Sequence, residues 1–413
     1  MPRKTFTLLV LIFILIGTAM VGGYLYFFTG VFGERERNEA TKILDDFLPF
    51  GQQPLETGRS PGGQPSEPAE SPLFSSKLLK LVQNPVAGFT PTTLGSSTVV
   101  RYMEKETGHI FDIDMSIPAA KSRITNTTIP RVYQSLFGQN GQSVILRYLN
   151  DDSLVETYYA KIPLASSTED FRNGVEIKGS FLSKSINDLS LSPSGTKIFT
   201  LIKFGKSAIG TVSSPDGTKK SQIFDSPFTE WLSSWANDKI IMLVTKPSYA
   251  APGYIYTLDS ASGNFQKIYG GTKGLTAILS PDEKKILISE SGDGLPQIKI
   301  YDISSGRLSA LGLRTIADKC NWVTSAKIYC AVPDENPESS TRYPDLWYQG
   351  VVSFKDSLWE IDPETLSTYQ ILPISQVARE DLDAINLFQN KSGEYLFFVN
   401  KKDSSLWSIK LER

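Results

Sequence analysis

The sequence predicts a large all-β domain built from a repeated unit of several strands. Short runs of β-branched and aromatic residues alternate with turns, and no long segment keeps the period of a helix. A Lys-Ile pair heads an apolar run at Lys197, Lys239, Lys285 and Lys327, at intervals of 42, 46 and 42 residues. A period in the low forties with several strands per unit is typical of the blades of a β-propeller.

Each repeat divides into four strands, and the unit at 273–316 shows this most clearly. Its strands are LTAILS, KKILISES, QIKIYD and RLSALGL. Third strands of several units end in Asp close behind an aromatic residue, and Asp-Ser-Gly turns then lead into the fourth strand. The pattern predicts seven blades, at 85–128, 129–185, 186–230, 231–272, 273–316, 317–372 and 382–413. Six or eight blades remain open, because the unit at 129–185 is long and irregular.

The two ends of the chain predict how the ring closes. The last unit stops after SLWSIKL and lacks a fourth strand, while the run KLLKLVQ at 77–83 precedes the first unit without a partner. Pairing these two runs completes the last blade with a strand from the other end of the chain. Such closure removes exposed strand edges, which otherwise invite aggregation.

An apolar segment near the N-terminus predicts a transmembrane signal anchor. Residues 5–28 are 24 consecutive positions without a charge, and about 20 are enough to cross a bilayer. Two basic residues precede the segment and the flank at 34–37 is charge-balanced, so the positive-inside rule keeps residues 1–4 in the cytoplasm. Cleavage near 17–19 is the competing interpretation, although it would leave nine apolar residues on the mature chain.

Residues 29–72 are predicted to form a flexible stalk, and residues 73–413 the propeller. A short helix fits 34–49, whereas 50–71 consist mostly of Pro, Gly, Ser, Gln and Glu. That composition cannot bury enough apolar surface to fold. The predicted organisation is a single-pass membrane protein whose propeller lies outside the cytoplasm, in the periplasm or at the cell surface.

The composition excludes several kinds of site. A formal net charge of -2 gives no general nucleic-acid surface. His109 is the single histidine and lies in a hairpin turn, where a structural role outweighs a catalytic one. Asp-containing turns such as 291–294 lack the ligand register of a calcium loop. We therefore predict no cofactor and no metal, find no catalytic constellation, and assign no enzymatic activity.

The two cysteines flank a tight hairpin with the sequence CNWVTSAKIYC. With a turn at 324–326, Cys320 and Cys330 face each other across the antiparallel pair, within disulfide range. An oxidised pair suits a compartment outside the cytoplasm. A structural disulfide is predicted, and two buried free thiols are the alternative.

One connection is much longer than the others. In the sixth unit, 333–356 join the second and third strands, and loops of this length in compact domains are often functional. Exposed aromatic residues among carboxylates suit a protein, peptide or glycan partner. The candidate partner-binding residues are Tyr343, Trp347, Tyr348 and Phe354, with Tyr249 on a neighbouring loop. The alternative is that Trp347 and Tyr348 fold back to plug the central channel.

Several segments carry a family resemblance. LSPSGTKI at 191–198 and LSPDEKKI at 279–286 resemble the SPDG repeats of TolB-like propellers, and are similar to WD-repeat-like bacterial propellers generally. The resemblance covers residues 77–413 as architecture and implies the fold and an exported location. It carries no activity, since such propellers are both binding scaffolds and domains of enzymes. The segments KETGHIFDID, RITNTTIP and YPDLWYQGVVSFKDSLWEID resemble those of uncharacterised, membrane-anchored envelope propellers of bacteria.

Three functions follow as hypotheses. The first is a membrane-tethered binding module for a protein, peptide or glycan partner at the cell envelope. The second is a hydrolase or lyase of envelope polymers, which needs carboxylates that converge in the propeller funnel. The third is a structural factor in envelope assembly. Two or more carboxylates lining a deep, open funnel would favour the enzyme.

Overall fold

A computed structural model describes residues 77–162, 174–292, 294–335 and 342–412. These residues belong to one compact unit, which spans Pro72–Arg413. The predicted cytoplasmic N-terminus, anchor and stalk (1–4, 5–28 and 29–72) lie outside the described residues. Within the described ranges, no helix is long and apolar enough to cross a membrane.

Within the described residues, twenty-eight strands form seven four-stranded antiparallel sheets, which are the blades of a propeller. Listed from the first to the fourth strand of each sheet, blade 1 is β2 (Val86–Leu94), β3 (Ser97–Glu104), β4 (Ile110–Asp114) and β5 (Lys121–Arg123), and blade 2 is β6 (Val132–Gly138), β7 (Ser143–Leu149), β8 (Val155–Lys161) and β9 (Lys178–Phe181). Blade 3 is β10 (Ile186–Leu191), β11 (Ile198–Phe204), β12 (Ser207–Ser213) and β13 (Ser221–Ser226), and blade 4 is β14 (Trp231–Trp235), β15 (Ile240–Thr245), β16 (Pro252–Asp259) and β17 (Phe265–Lys273).

The remaining blades complete the ring. Blade 5 is β18 (Thr276–Leu279), β19 (Lys285–Gly292), β20 (Gly294–Asp302) and β21 (Leu308–Arg314), and blade 6 is β22 (Cys320–Thr324), β23 (Lys327–Pro333), β24 (Asp356–Ile361) and β25 (Thr368–Leu372). Blade 7 is β26 (Ala384–Gln389), β27 (Tyr395–Asn400), β28 (Leu406–Lys410) and β1 (Leu78–Val82). In the part of the chain that the structure describes, the helical elements are two 3₁₀ turns (Gln139–Gly141 and Ala317–Lys319), α1 (Asp345–Tyr348) and α2 (Ile374–Ala378).

The prediction of seven blades is confirmed. Six sheets each match one predicted repeat to within a residue, including the irregular unit at 129–185, which forms β6–β9, and the seventh joins β26–β28 with β1 from the run at 77–83. First strands of neighbouring blades contact each other, so they form the inner wall of the ring.

The Lys-Ile runs are the second strands of blades 3 to 6, and their continuous apolar character has a simple cause. Both faces of these strands are covered by neighbouring blades. Met242 of β15 packs with Ile286 and Ile288 of blade 5, whereas Leu243 packs with Phe199 of blade 3. A strand buried on both faces reads as an unbroken apolar run rather than an alternating one.

The ring closes as the sequence predicts. β1 pairs antiparallel with β28, with Leu78 opposite Ile409 and Lys80 opposite Trp407. The closing strand is buried at Leu78 and Val82, which are 2% and 0% exposed. Apolar burial and an antiparallel ladder, with one register shift between Lys80 and Val82, thus join the two ends of the domain.

The strand ends divide into two faces. One carries the blade-to-blade connections and the loops between second and third strands, and we call it the cap face. It is named for residues 342–355, the cap segment, which follow β23 and include α1. The opposite face carries the loops between first and second strands and between third and fourth strands.

Candidate functional site

The cap segment folds back on the ring through an aromatic cluster. Tyr343, Trp347 and Phe354 are 2%, 4% and 5% exposed, and they pack with Leu295 of β20 and Ile316 of the connection between blades 5 and 6. Three of the five candidate partner-binding residues therefore lie in a core and do not form an open surface. The alternative folds Trp347 and Tyr348 back, and of these two residues Trp347 is buried against Leu295 and Ile316, whereas Tyr348 is 38% exposed.

The other two candidates, Tyr348 and Tyr249, remain at the surface. They are 38% and 37% exposed. Asp345 at the start of α1 accepts hydrogen bonds from the Tyr249 backbone N–H (2.7 Å) and the Ser248 hydroxyl (3.3 Å). The Ser291 hydroxyl donates to the Tyr343 carbonyl. The cap segment, which belongs to blade 6, is thus also bound to blades 4 and 5.

A buried ionic cluster lies beneath the cap segment. Lys319 donates from Nζ to Asp356 Oδ2 at 2.7 Å and also to Asp383 Oδ1, and all three side chains are fully buried. Asp356 Oδ2 accepts a further hydrogen bond from the Ala384 N–H at 2.7 Å. The cluster joins three separate elements: the turn before β22, the start of β24 and the connection to β26.

The same cluster holds the cap segment directly. Asp383 Oδ2 accepts from Trp347 Nε1 (2.9 Å), the Ser353 hydroxyl (3.2 Å) and the Phe354 N–H (3.2 Å). Nζ of Lys401 lies 4.8 Å from the centre of the Trp347 ring, and that of Lys319 lies 5.6 Å from it. Cation–π attraction of this kind is strongest where water is excluded. Removing one member would therefore leave several buried groups without partners.

The buried cluster contains two carboxylates, Asp356 and Asp383, but a single ammonium group, that of Lys319. Burial raises the pKa of Asp356 to about 7, while Lys319 acts to lower it and Asp383 acts to raise it. Its Oδ1 atom has no hydrogen-bond partner among the described residues. Burial also lowers the pKa of Lys401. Two carboxylates share one fully buried lysine, so Asp356 binds a proton far more readily than an exposed aspartate.

Unlike Asp356 and Asp383, the carboxylate of Asp318 on this face is accessible to solvent. Asp318 lies in the 3₁₀ turn Ala317–Lys319, between two neighbours that are fully buried, and its own side chain is exposed. The Tyr348 hydroxyl donates to Asp318 Oδ2. Desolvation raises the pKa of both groups, well above the ordinary value for Tyr348. Asp318 and Tyr348 therefore form a hydrogen-bonded pair at the surface of the cap face.

The wall of the central channel carries little charge. In the seven inner strands, all of them described, Asp188 of β10 is the single carboxylate. Its Oδ2 accepts from the backbone N–H (2.7 Å) and the hydroxyl (2.6 Å) of Ser233 on β14, and burial raises its pKa. Asp188 thereby joins blade 3 to blade 4. These strands do not provide the pair of carboxylates that the hydrolase hypothesis needs.

Cys320 and Cys330 form a disulfide with a sulfur–sulfur distance of 2.04 Å. The two residues face each other in the ladder between β22 and β23. Cys320 directly follows Lys319, so this bond fixes the strand that begins next to the ionic cluster.

The single histidine, His109, shares a hydrogen bond between its Nε2 atom and the Thr128 hydroxyl (3.0 Å). In the described ranges, no group of three His, Cys, Asp or Glu residues is placed to hold a metal ion.

Sequence reasoning missed the polar part of this site. Asp318 and Lys319 lie far from Asp356 and Asp383 in the sequence, and the four residues match no motif. The residues just before β26 are on the predicted binding face, but nothing singles out Asp383 among its acidic neighbours. The contact between these residues exists only once the ring is formed.

Comparison with known proteins supports the architecture. A puromycin-hydrolysing peptidase from Mycobacterium tuberculosis aligns with a TM-score of 0.50 and 12% identity, over 77% of this chain and 52% of that one. TolB from Acinetobacter baumannii aligns with a TM-score of 0.39 and 13% identity, over 79% of each chain. The domain is similar to TolB and other β-propellers.

An oligogalacturonate lyase in complex with manganese aligns with a TM-score of 0.49 and 9% identity, over 82% of this chain and 98% of that one. This chain spans about half the length of the peptidase, 52%. At such identities the likeness shows the fold and transfers no activity. No protein-family model matches the sequence, and the search of curated proteins found no match.

Proposed function

We propose that this propeller is a binding module that holds a protein partner at the cell envelope through its cap face, while the predicted anchor at 5–28 tethers it to the membrane. The observation that carries the proposal is the construction of the cap segment. One side of the segment is fixed in a core and the other side presents apolar and aromatic groups to solvent.

The exposed side has the composition of a binding surface. Val351 is 66% exposed, and it lies three residues after Tyr348, which is 38% exposed. Tyr249, 37% exposed, stacks under the guanidinium of Arg342, whose Cζ lies 5.5 Å from the ring centre. Tyrosine and arginine are enriched where proteins bind each other tightly. Because buried contacts hold the segment, little conformational entropy is lost when a partner docks.

The enzymatic alternative has less support. Asp356 and Asp383 are buried against Lys319, and Asp188 is bound to Ser233. Asp318 and Glu230 are exposed carboxylates on the cap face, and a hydrolase of the common type uses two carboxylates across the scissile bond. A structural role in envelope assembly is compatible with the same surface. The identity of the protein partner would distinguish that role from a module that only binds its partner.

Site-specific photo-cross-linking tests this function. The photoreactive residue p-benzoylphenylalanine is introduced at Val351, and at Tyr369 as the matched control. Both positions are similarly exposed, 66% and 62%, but Tyr369 lies on the outermost strand of blade 6. With the full chain in its native envelope, we expect a discrete cross-linked protein from position 351 and not from 369. Equal cross-linking at both positions, or none at either, would contradict the proposal.

A further inference from the structure

The hydrogen bond from Tyr348 occupies one of the two carboxylate oxygens of Asp318. Asp318 Oδ2 accepts the hydroxyl of Tyr348, while Oδ1 takes part in no hydrogen bond or ion pair among the described residues. The neighbours Ala317 and Lys319 are 0% exposed, whereas Asp318 is exposed. The turn therefore presents one carboxylate oxygen to solvent from an otherwise buried piece of chain.

This carboxylate also lacks a cation. In the described ranges, no lysine, arginine or histidine lies within ion-pair distance of Asp318. Asp356 and Asp383, by contrast, share the ammonium group of Lys319. Asp318 is exposed, and an ionised carboxylate without a cationic partner attracts a cation from solution.

An aromatic ring borders the same carboxylate. The ring of Tyr348 is partly exposed and packs edge-on against Trp347, with ring centres 5.2 Å apart. Aromatic faces attract ammonium groups, and the attraction grows where water is excluded. A free carboxylate oxygen beside a fixed tyrosine ring thus combines two features that favour a bound ammonium group.

We propose that Asp318 and Tyr348 together bind a primary ammonium group, from a lysine side chain or an N-terminus, of the protein partner at the cap face. This inference rests on the proposed function and adds the chemistry that the partner must present. The ammonium group donates to Asp318 Oδ1 and neutralises the carboxylate, while Tyr348 keeps its hydrogen bond to Oδ2 and offers its ring.

Calorimetric titration of the full-length protein in detergent tests this assignment with defined probes. The probes are acetyl-Gly-Lys-Gly-amide, its norleucine analogue, Gly-Gly-Gly-amide with a free N-terminus, and glucosamine. We expect saturable binding of the lysine peptide or of the free N-terminus, and none of the norleucine peptide. The probe that binds identifies the source of the ammonium group. Asp318→Asn should weaken this binding at least tenfold, whereas Asp152→Asn, a change at an exposed carboxylate on a blade 2 loop, should leave it unchanged.

The pH dependence supplies a readout that a purely structural role would not move. Desolvation raises the pKa of Asp318, and the hydrogen bond from Tyr348 lowers it. Affinity should therefore fall as the pH drops through this raised pKa, because the protonated carboxyl no longer attracts the cation. Tyr348→Phe should move that fall to higher pH.

Several results would overturn the inference. They are equal binding by Asp318→Asn and the original protein, equal binding of the norleucine peptide, and no saturable binding of any probe. Tighter binding of glucosamine than of both peptides would replace the protein partner by an amino sugar. Cross-linking at Val351 that survives in Asp318→Asn would leave the proposed function intact and reject this inference alone.

Discussion

Aspartates on the two faces of the propeller have opposite environments. On the face opposite the cap, Asp259, Asp302 and Asp362 follow third strands, and their Oδ1 atoms accept backbone N–H bonds from residues two or three positions later. These hydrogen bonds lower the pKa of each carboxyl. On the cap face, burial raises the pKa of Asp318 and Asp356.

The difference lies in the distance along the chain between partners. The turn aspartates are satisfied within three residues, so each turn is stable by local geometry and recurs in every blade that carries the motif. Asp383, in contrast, is 64 residues from Lys319 and 36 from Trp347. The cap face therefore depends on the complete ring, and the substitutions below are chosen to separate the two cases.

Replacing Lys319 by Met should have the largest effect on stability. It leaves Asp356 and Asp383 buried without their cation, and breaking a buried ion pair on one side destabilises by about 3–5 kcal/mol. Lys327→Met is the matched control, since its pair with Glu360 is partly exposed (39% and 32%) and such pairs contribute about 1 kcal/mol or less. Urea unfolding of the full-length protein measures both.

If Lys319→Met fails to fold, a compensated variant keeps this prediction testable. The triple variant Lys319→Met, Asp356→Asn, Asp383→Asn removes all three charges and should be more stable than Lys319→Met alone. Equal losses in Lys319→Met and Lys327→Met would show that the cluster is not the support of the cap face.

Trp347→Ala should come next. It removes an indole that is 4% exposed together with the donor to Asp383, and large-to-small changes of buried aromatic residues cost about 3–5 kcal/mol. Val351→Ala, four residues later and 66% exposed, should fall within about 0.5 kcal/mol of the original protein. Urea unfolding measures the free energy of unfolding of both variants. A small decrease for Trp347→Ala would mean that the cap segment packs only loosely on the ring.

The pH dependence of stability should follow Asp356. Its pKa is raised to about 7 in the folded protein, so the folded state holds this proton more tightly than the unfolded chain. The resulting stability is complete below the unfolded pKa of about 4 and is lost as the pH rises through 7, with a slope of at most about 1.4 kcal/mol per pH unit for one proton. Asp356→Asn should flatten the stability curve between pH 4 and 7. A curve with the same slope in both proteins would assign the titration to another group.

The sequence predicts the repeating part of the molecule but not the contacts of the cap face. The two differ in the distance along the chain between the residues that interact. The Lys-Ile runs, the Asp turns, the closing strand at 77–83 and the facing cysteines all depend on partners that are local or repeated at a fixed period. The interpretation of Trp347 as a contact residue relied on the length and aromatic content of its loop. Whether that ring meets solvent depends on Leu295 and Ile316, which reach it only in the folded ring.

Asp302→Asn should have the smallest effect of these substitutions. Asn retains the oxygen that accepts from the Ser305 N–H and from the Ser304 and Ser305 hydroxyls, and the turn needs that acceptor rather than the charge. The pKa of Asp302 is lowered in the folded protein, so its stabilising effect is present above the unfolded pKa and is lost as the pH falls through the lower folded value. The melting midpoints of Asp302→Asn and the original protein should therefore differ slightly at pH 7 and converge progressively as the pH falls below the unfolded pKa and through the folded one. A larger loss than for Trp347→Ala would mean that charge, and not local geometry, holds the repeated turns.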